Sequence, residues 1–395
     1  MPNPSVYEGV QSTQRGFDNA TWGVRYVKPG IHLLQKEIAP ITTLLMNMRM
    51  GERVTNPKVE WEEDEMLPHV TKLNNVSGYL STDKTFIVDE EAYGNIGAFI
   101  KVPRTGEVMG PIVAQDSGLS NFTVAKRGCF GSSAAALVDN DVLIFIRGNI
   151  GDGGDAPEAI NTLPTPKFNY IEPTSTVYGA TEMLEDMETY NQTGKIAYQR
   201  PKKMKEHMES REVKVLFGTR GIDTTVTPVK YSMGGLFSYL TTTVETITVP
   251  TGATKGFTMK QFMAFIKRLF TYNESSAEKV FFCDGEIINN IDEFKLQLID
   301  LNPNDMMLNF ATKSVRTSFG TLHLVHHRML NENFGYPWYG IALDLKNVEL
   351  QPFQRQYVRR IPPGRGHSEE YEIYQSDTLV VKNEPTCGIF RVVNA

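Results

Sequence analysis

The stretch IAYQRPKKMKEHMESREVKVLFG, Ile196 to Gly218, decides the fold. It lies in a helical pattern predicted over Tyr190 to Phe217, in which Ile196, Met204, Met208 and Val215 recur at i, i+8, i+12 and i+19, close to one stripe of a helix with 3.6 residues per turn. Lys202 with Glu206 and Lys205 with Glu209 form i,i+4 pairs on the side left to water. Gly218 stops the pattern, and Pro201 either kinks the helix or starts its second half. At 1.5 Å per residue the element would be about 40 Å long, enough to cross a whole subunit.

The chain around it has 395 residues, with 40 basic against 46 acidic side chains and a net charge of −6. That length exceeds what one hydrophobic core supports, so several subdomains are expected. A dedicated nucleic-acid binder would carry a basic excess to neutralise phosphates, which confines any such contact to patches. Cys129, Cys283 and Cys387 are far apart and show no C-x-x-C spacing, so neither a disulfide framework nor a zinc site is suggested. The opening MPNPSVYEGV lacks a basic and an apolar signal region, and no apolar run approaches the roughly 18 residues of a membrane span. The expectation is a protein neither exported by a signal peptide nor inserted into a membrane, and made in the cytoplasm.

Residues 1 to about 30 are polar and aperiodic, which reads as an extended arm. HLLQKEIAPITTLLMNMRM, residues 32–50, spaces its leucines and isoleucines at helical intervals and is divided or kinked by Pro40, so a short helix pair is expected. EWEEDEMLPH, Glu60 to His69, follows. It is either a solvated loop face, because packed like charges stay in water, or a charged arm that meets a basic patch on another chain.

From about 78 to 160 short apolar runs alternate with Gly, Asn and Pro turns, at Phe86 to Val88, Ala98 to Val102, Ile112 to Ala114 and Val142 to Ile146. This spacing predicts a small antiparallel barrel or sandwich. RGCFGSS, Arg127 to Ser133, lies within it. A phosphate loop would need a Lys after its last glycine and a helix behind it; here serines and a strand follow, so a structural turn is the reading.

GDGGDAPEAINTLPTP, residues 151–166, reads as a hinge. Its Asp152, Asp155 and Glu158 fail the alternating calcium-loop spacing. Residues 221–250 are Thr-rich and β-prone, which reads as strands on an exposed loop. At Thr258 the sequence TMKQ offers a hydroxyl with Gln261 three residues later, a capping pattern for an amphipathic helix. EKVFFCDG then reads as a buried strand, EIINNIDEFKLQL as a second helix, VRTSFGTLHLVHHRML as a hairpin about Phe319 and Gly320, and the remainder as closing strands.

Chemistry is sparse. HLVHH, His323 to His327, would place two histidines on one helix face. Its alternating context is a strand, however, where i and i+4 stand about 13 Å apart. No nucleophile has a recognisable base partner, so no catalytic residue, cofactor or metal is assigned. RPKKMK, Arg200 to Lys205, alternates with glutamates on the helix, whereas RRIPPGRGH, Arg359 to His367, sits in a Pro/Gly loop that faces nucleic acid or an acidic neighbour.

Four blocks in order, FIVDEEAYGNIGAFIKVPRTGEVM, VAKRGCFGSSAAALVDNDVLIFIRGN, IAYQRPKKMKEHMESREVKVLFGTR and SEEYEIYQSDTLVVKNEPTCGIFRVVN, resemble a family of tailed-bacteriophage major capsid (major head) proteins that carries an extra β unit. The similarity runs from about Leu33 to Val393. Pro201 stands where the family usually has a plain helix former, and Arg147 interrupts a stretch that is usually apolar.

The resemblance implies an α+β, Hong Kong 97-like (Johnson) fold. It would comprise an N-terminal arm with short helices (1–56), an extended loop (57–77, returning over 161–189), an inserted all-β subdomain (78–160), a peripheral domain with the spine helix (190–257, closed by strands in 331–395) and an axial domain (258–330). It further implies a non-enzymatic structural protein of the virion. Its copies would form hexamers and pentamers of an icosahedral shell around double-stranded DNA held by weak, non-specific contact, with portal, scaffold and decoration proteins as further partners. Stability would come from many modest interfaces. Expected inter-subunit contacts are Glu60, Trp61, Glu62, Glu63 and Asp64 near the extended loop and Arg359, Arg360 and Arg365 opposite in sign. The alternatives are an encapsulin-like nanocompartment shell, with the same fold around protein cargo, and a tail or baseplate component.

Overall fold

A computed structural model describes residues 39–394 other than 49–50, 67, 90–95, 117–120, 147–162, 189–193, 253, 273–274, 295–305, 308–309, 312 and 363–365. The expected arm, the first helix of the expected pair, the acidic positions of the residue 151–166 hinge, Arg147 and Arg365 therefore lie outside the described residues. The chain forms two compact units, one of residues up to Trp61 with Phe168 onward, the other Glu62–Lys167. It passes between them through a two-stranded ribbon of β1 (Lys58–Glu63) and β8 (Thr165–Tyr170).

The second unit is a six-stranded sheet of β2 (Val70–Lys72), β3 (Thr85–Ile87), β4 (Phe99–Lys101), β5 (Val108–Gln115), β6 (Asn121–Lys126) and β7 (Val142–Ile146), ordered β2-β7-β4-β5-β6-β3. Every pairing is antiparallel. Its two edges meet: Leu73 bridges Val88, and the Asp89 N–H donates to the Lys72 carbonyl at 3.0 Å. The sheet is thus a closed barrel without a free edge. Alternate residues point inward, so Phe86, Ile100, Met109, Leu143 and Phe145 make its core. Because β2 belongs to the sheet, the unit starts ahead of residue 78.

The RGCFGSS stretch is a turn pinned by a buried ion pair. Arg127 donates from Nε and Nη2 to Glu107 at 2.7 and 2.8 Å, and its other N–H groups reach the carbonyls of Leu80, Asp83 and Ala135. Burial works to raise the Glu107 carboxyl, but Arg127 and the N–H groups of Ala135 and Gly128 hold it below its ordinary value. Gly128 has φ +65°, and a Cβ there would lie 2.8 Å from the Ser132 carbonyl oxygen, so the turn requires glycine. Its cation is fully committed to the protein.

In the first unit α1 (Pro40–Met48) begins at Pro40, where a missing N–H costs nothing. The strand β9 (Glu172–Thr181) and the short α2 (Glu182–Asp186) lead to α3 (Ile196–Phe217). At 22 residues α3 is about 33 Å long. It starts later than Tyr190 and runs through Pro201; Ala197, the carbonyl acceptor that Pro201 leaves unused, is exposed. Of the expected stripe only Val215 is buried, while Ile196, Met204 and Met208 are half-buried; the buried face is His207, Arg211, Glu212, Val215 and Leu216. The buried charges are paired. Arg211 holds Asp377, while Glu212 accepts from the N–H groups of Ile41 and Thr42 and contacts His327.

Next come β10 (Gly221–Asp223), β11 (Lys230–Ser232), α4 (Leu236–Tyr239) and β12 (Val244–Val249), followed by α5 (Met259–Leu269), β13 (Glu278–Cys283) and α6 (Gly285–Glu293). The Thr258 and Gln261 side chains form the capping box expected at α5. Small strands β14 (Met306–Met307) and β15 (Phe310–Ala311) precede β16 (Lys313–Arg316) and β17 (Thr321–His326), which form the expected hairpin; β18 (Tyr339–Leu343), β19 (Val348–Ile361), β20 (Ser368–Val381) and β21 (Gly388–Asn394) complete the chain.

Six strands form a mixed sheet, β12-β21-β18-β13-β17-β16, in which β12 runs parallel to β21 and β13 parallel to β17. Val280 to Cys283 of β13 form an unbroken apolar run because both faces are covered, and the buried Lys279 ahead of them pairs with Asp344 at 3.5 Å. Val280 and Phe282 face Leu45, Val215 and Met329, whereas Phe281 and Cys283 face Phe262, Phe265 and Ile287 of α5 and α6. This sheet draws strands from 244–249 and 339–394 as well as 258–330, so the last range does not close a sheet on its own. Thr-rich β12 is an edge strand of this sheet, paired with β21, rather than a strand on an exposed loop. A three-stranded sheet, β19-β20-β9, turns the half-buried Thr176 of β9 to His207 of α3, with the Thr176 hydroxyl 2.9 Å from Nδ1.

Candidate functional site

The start of the acidic run, Glu60 to Glu63, is strand, and Asp64 to Met66 follow it without regular structure. In KVEWEE the side chains of Val59, Trp61 and Glu63 are half-buried while Lys58, Glu60 and Glu62 are exposed. The alternating Val59 and Trp61 carry this period in the sequence, although the charges dominate its appearance. Trp61 packs 6.1 Å from the Tyr239 ring, whose hydroxyl donates to the Phe168 carbonyl at 2.7 Å. Arg220 lies 4.2 Å over the Phe168 ring and donates to the same carbonyl, and Lys58 lies 4.5 Å over that ring. Burial raises the Tyr239 phenol, opposed by Arg220. Trp61 is therefore an anchor of the ribbon within its own chain. Glu60 pairs with Lys58. Beyond the strand Asp64 and Glu65 are exposed, and Met66 is 94% exposed.

Arg359 and Arg360 lie on β19, in the long β19/β20 hairpin rather than in a loop. Arg359 donates to Glu372 at 2.5 Å and Arg360 to Glu369 at 2.5 Å. The Ser175 hydroxyl and Arg359 hold the Glu372 carboxyl below its ordinary value against its burial. Within one chain, then, these arginines are neutralised by their own hairpin rather than by Glu60 to Asp64.

The remaining candidates do not converge. His323 and His326 lie on β17, half-buried and exposed, whereas His327 is buried beyond the strand end. Among the described residues no cluster of three or more His, Cys, Asp or Glu side chains could hold a metal. All three cysteines are buried and free. Burial pushes the Cys387 thiol up to about 11 and also raises Cys283, so neither is an activated nucleophile. Lys202 and Lys203 both reach Glu206 on the exposed side of α3, at 4.0 and 2.5 Å. No helix among the described residues is long and apolar enough to cross a membrane. The described surface includes the acidic segment from Glu60 to Glu65, the charged β19/β20 hairpin and the outside of the barrel.

The sequence matches the family model described as SU10 major capsid protein over residues 13–394. No curated protein matches it. Among solved structures it is similar to the capsid of Myoviridae phage XM1, with 8% identity, 98% of this chain and 100% of that chain covered and a TM-score of 0.49. It is also similar to the capsid of an empty GTA particle, with 8% identity, 98% and 100% coverage and a TM-score of 0.48. Likeness to the holo-SrpI encapsulin complex from Synechococcus elongatus PCC 7942 covers 60% of this chain and 77% of that chain, at 12% identity and a TM-score of 0.40. The family match, spanning nearly the whole chain, carries the assignment; the structural likenesses at these scores carry none.

Proposed function

The chain belongs to the SU10 major capsid protein family, and from that premise we propose that its copies assemble as hexamers and pentamers into the icosahedral head that encloses the double-stranded DNA of a tailed phage. It is a structural protein that forms a capsid shell from many copies, located in the virion, with a mixed α+β fold of the Hong Kong 97-like capsid kind. The observation that carries the finer reading is the family match across residues 13–394.

In this reading α3 is the spine helix, the β1/β8 ribbon is the root of the extended loop, the barrel of β2 to β7 is an added subdomain, and α5, α6 and the strands between them belong to the axial domain. The portion up to residue 56 comprises the arm and short helices, α1 among them. Glu60, Trp61, Glu62, Glu63 and Asp64, with Arg359, Arg360 and Arg365, meet neighbouring subunits, and portal, scaffold and decoration proteins join the shell. The net charge of −6 suits a container that holds packed DNA without gripping it. Synthesis takes place in the host cytoplasm.

Particles purified after co-expression with the neighbouring virion genes test this. Nuclease-protected double-stranded DNA inside closed shells is expected; shells filled with a protein cargo and no genome would replace the phage reading by an encapsulin-like compartment. Charge reversal of Glu62, Glu63 and Asp64 is expected to weaken assembly, and unchanged assembly and shell stability would remove these residues from the interface.

A further inference from the structure

The barrel carries an apolar face on its outside. Strand register places Val70 beside Ile144, Ile144 beside Lys101, Phe99 beside Ile146, and Lys72 beside Val142. Residues alternating with these, Leu143, Phe145 and Ile100, fill the interior, so this set points outward. Val70, Val142 and Ile146 are exposed. The ring of Phe130 packs 4.8 Å from that of Phe99 and extends the same patch.

Phe130 is 74% exposed and adopts φ +53°, a left-handed conformation unfavourable for a bulky side chain. An exposed aromatic held in a strained turn contributes little to the barrel's own core, which points to an external role. The charges within this face are cations, Lys72 and Lys101, both exposed.

The same unit presents the opposite surface at its start. Glu62, Asp64 and Glu65 are exposed, and Met66, an adaptable apolar side chain, is 94% exposed directly after them. One surface is apolar with lysines, the other acidic with an apolar tip. We propose that the outer face of the barrel formed by Val70, Val142, Ile146, Phe99 and Phe130, with Lys72 and Lys101, docks the acidic segment Glu62 to Met66 of a second copy of this chain. Charge complementarity selects the occupant, and a shell presents both surfaces many times in fixed geometry, so a weak contact is multiplied. The contact is head-to-tail, joining different patches of two copies. This inference rests on the shell-forming reading.

The test compares wild-type shells with shells of K72E/K101E, of E62K/D64K, of the combined four-fold variant and of F130G, by sedimentation velocity and by the denaturant midpoint of shell dissociation. Each charge set alone is expected to lower the midpoint or abolish shells, and their combination to restore it towards wild type. F130G relieves backbone strain, so the protomer's own unfolding midpoint is expected to stay level or rise while the shell midpoint falls. A solely structural role for Phe130 would move both in the same direction. Unchanged shell midpoints in both single charge sets, or no recovery in the combination, would overturn the proposal. Binding of a different virion protein to the face, with shell stability unmoved by the variants, would overturn the second copy as its occupant. Failure of the wild type to form shells even with its virion partners would instead overturn the shell reading itself.

Discussion

The Glu212 carboxylate lies 2.7 Å from Nε2 of His327, with both side chains wholly buried. Nδ1 of the same imidazole accepts the Met329 N–H at 3.2 Å, so the ring hydrogen sits on Nε2 and is donated to Glu212. The same carboxylate accepts the N–H groups of Ile41 and Thr42 at 2.9 and 2.7 Å, and the Thr42 hydroxyl. One side chain of α3 thus caps α1 and ties it to the end of β17.

Glu212→Gln is expected to destabilise the protomer by about 3 kcal/mol, because both oxygens accept donors and an amide must turn its NH₂ towards one of these pairs. Urea unfolding gives the magnitude. Hydrogen exchange at Ile41 and Thr42 should accelerate more than exchange in β13.

His207 titrates at about 4, below its ordinary 6.5, because burial and then Arg211 and Lys214 disfavour its charged form. Below pH 6.5 the unfolded chain takes up a proton that the folded chain resists, so stability falls as pH drops from about 6.5 towards 4. Unfolding midpoints across that range should show this slope, and His207→Gln should flatten it. An unchanged slope would place the titrating group elsewhere.

Arg127→Ala is expected to cost the barrel roughly 3–5 kcal/mol, since it strands Glu107 without its buried partner. Arg127→Lys should recover only part of this, because an ammonium cannot reproduce the bidentate contact or reach all three carbonyls. Thermal unfolding checks both. Glu107 adds to the acid sensitivity of the unit: its lowered carboxyl supplies stability that is present above the ordinary value and lost as pH falls through the folded one.

Thr258→Ala should cost about 1 kcal/mol by removing the cap of α5, and Thr258→Ser should cost much less. Denaturant midpoints separate the two outcomes.

The features legible in the sequence are those set by near neighbours. The Thr258 and Gln261 cap, the Val142–Ile146 strand, the β16/β17 hairpin and the presence of a long helix before Gly218 all follow from local spacing. The buried face of that helix does not. His207, Arg211 and Glu212 read as solvated polar residues, while their partners Thr176, Asp377, Thr42 and His327 are remote in the chain or on other elements. Charge likewise hid the strand at Lys58–Glu63, whose only local sign is Val59 and Trp61 two residues apart. Closure of the barrel depends on Leu73 meeting Val88, a non-local pairing that no spacing specifies.

The most direct measurement is sedimentation velocity with negative-stain imaging of the purified protein, over a range of concentrations and salt and with the neighbouring virion proteins co-expressed. Rings and closed icosahedral shells built from this chain are the predicted result. A protomer that stays monomeric at every concentration, with and without those proteins, would contradict it.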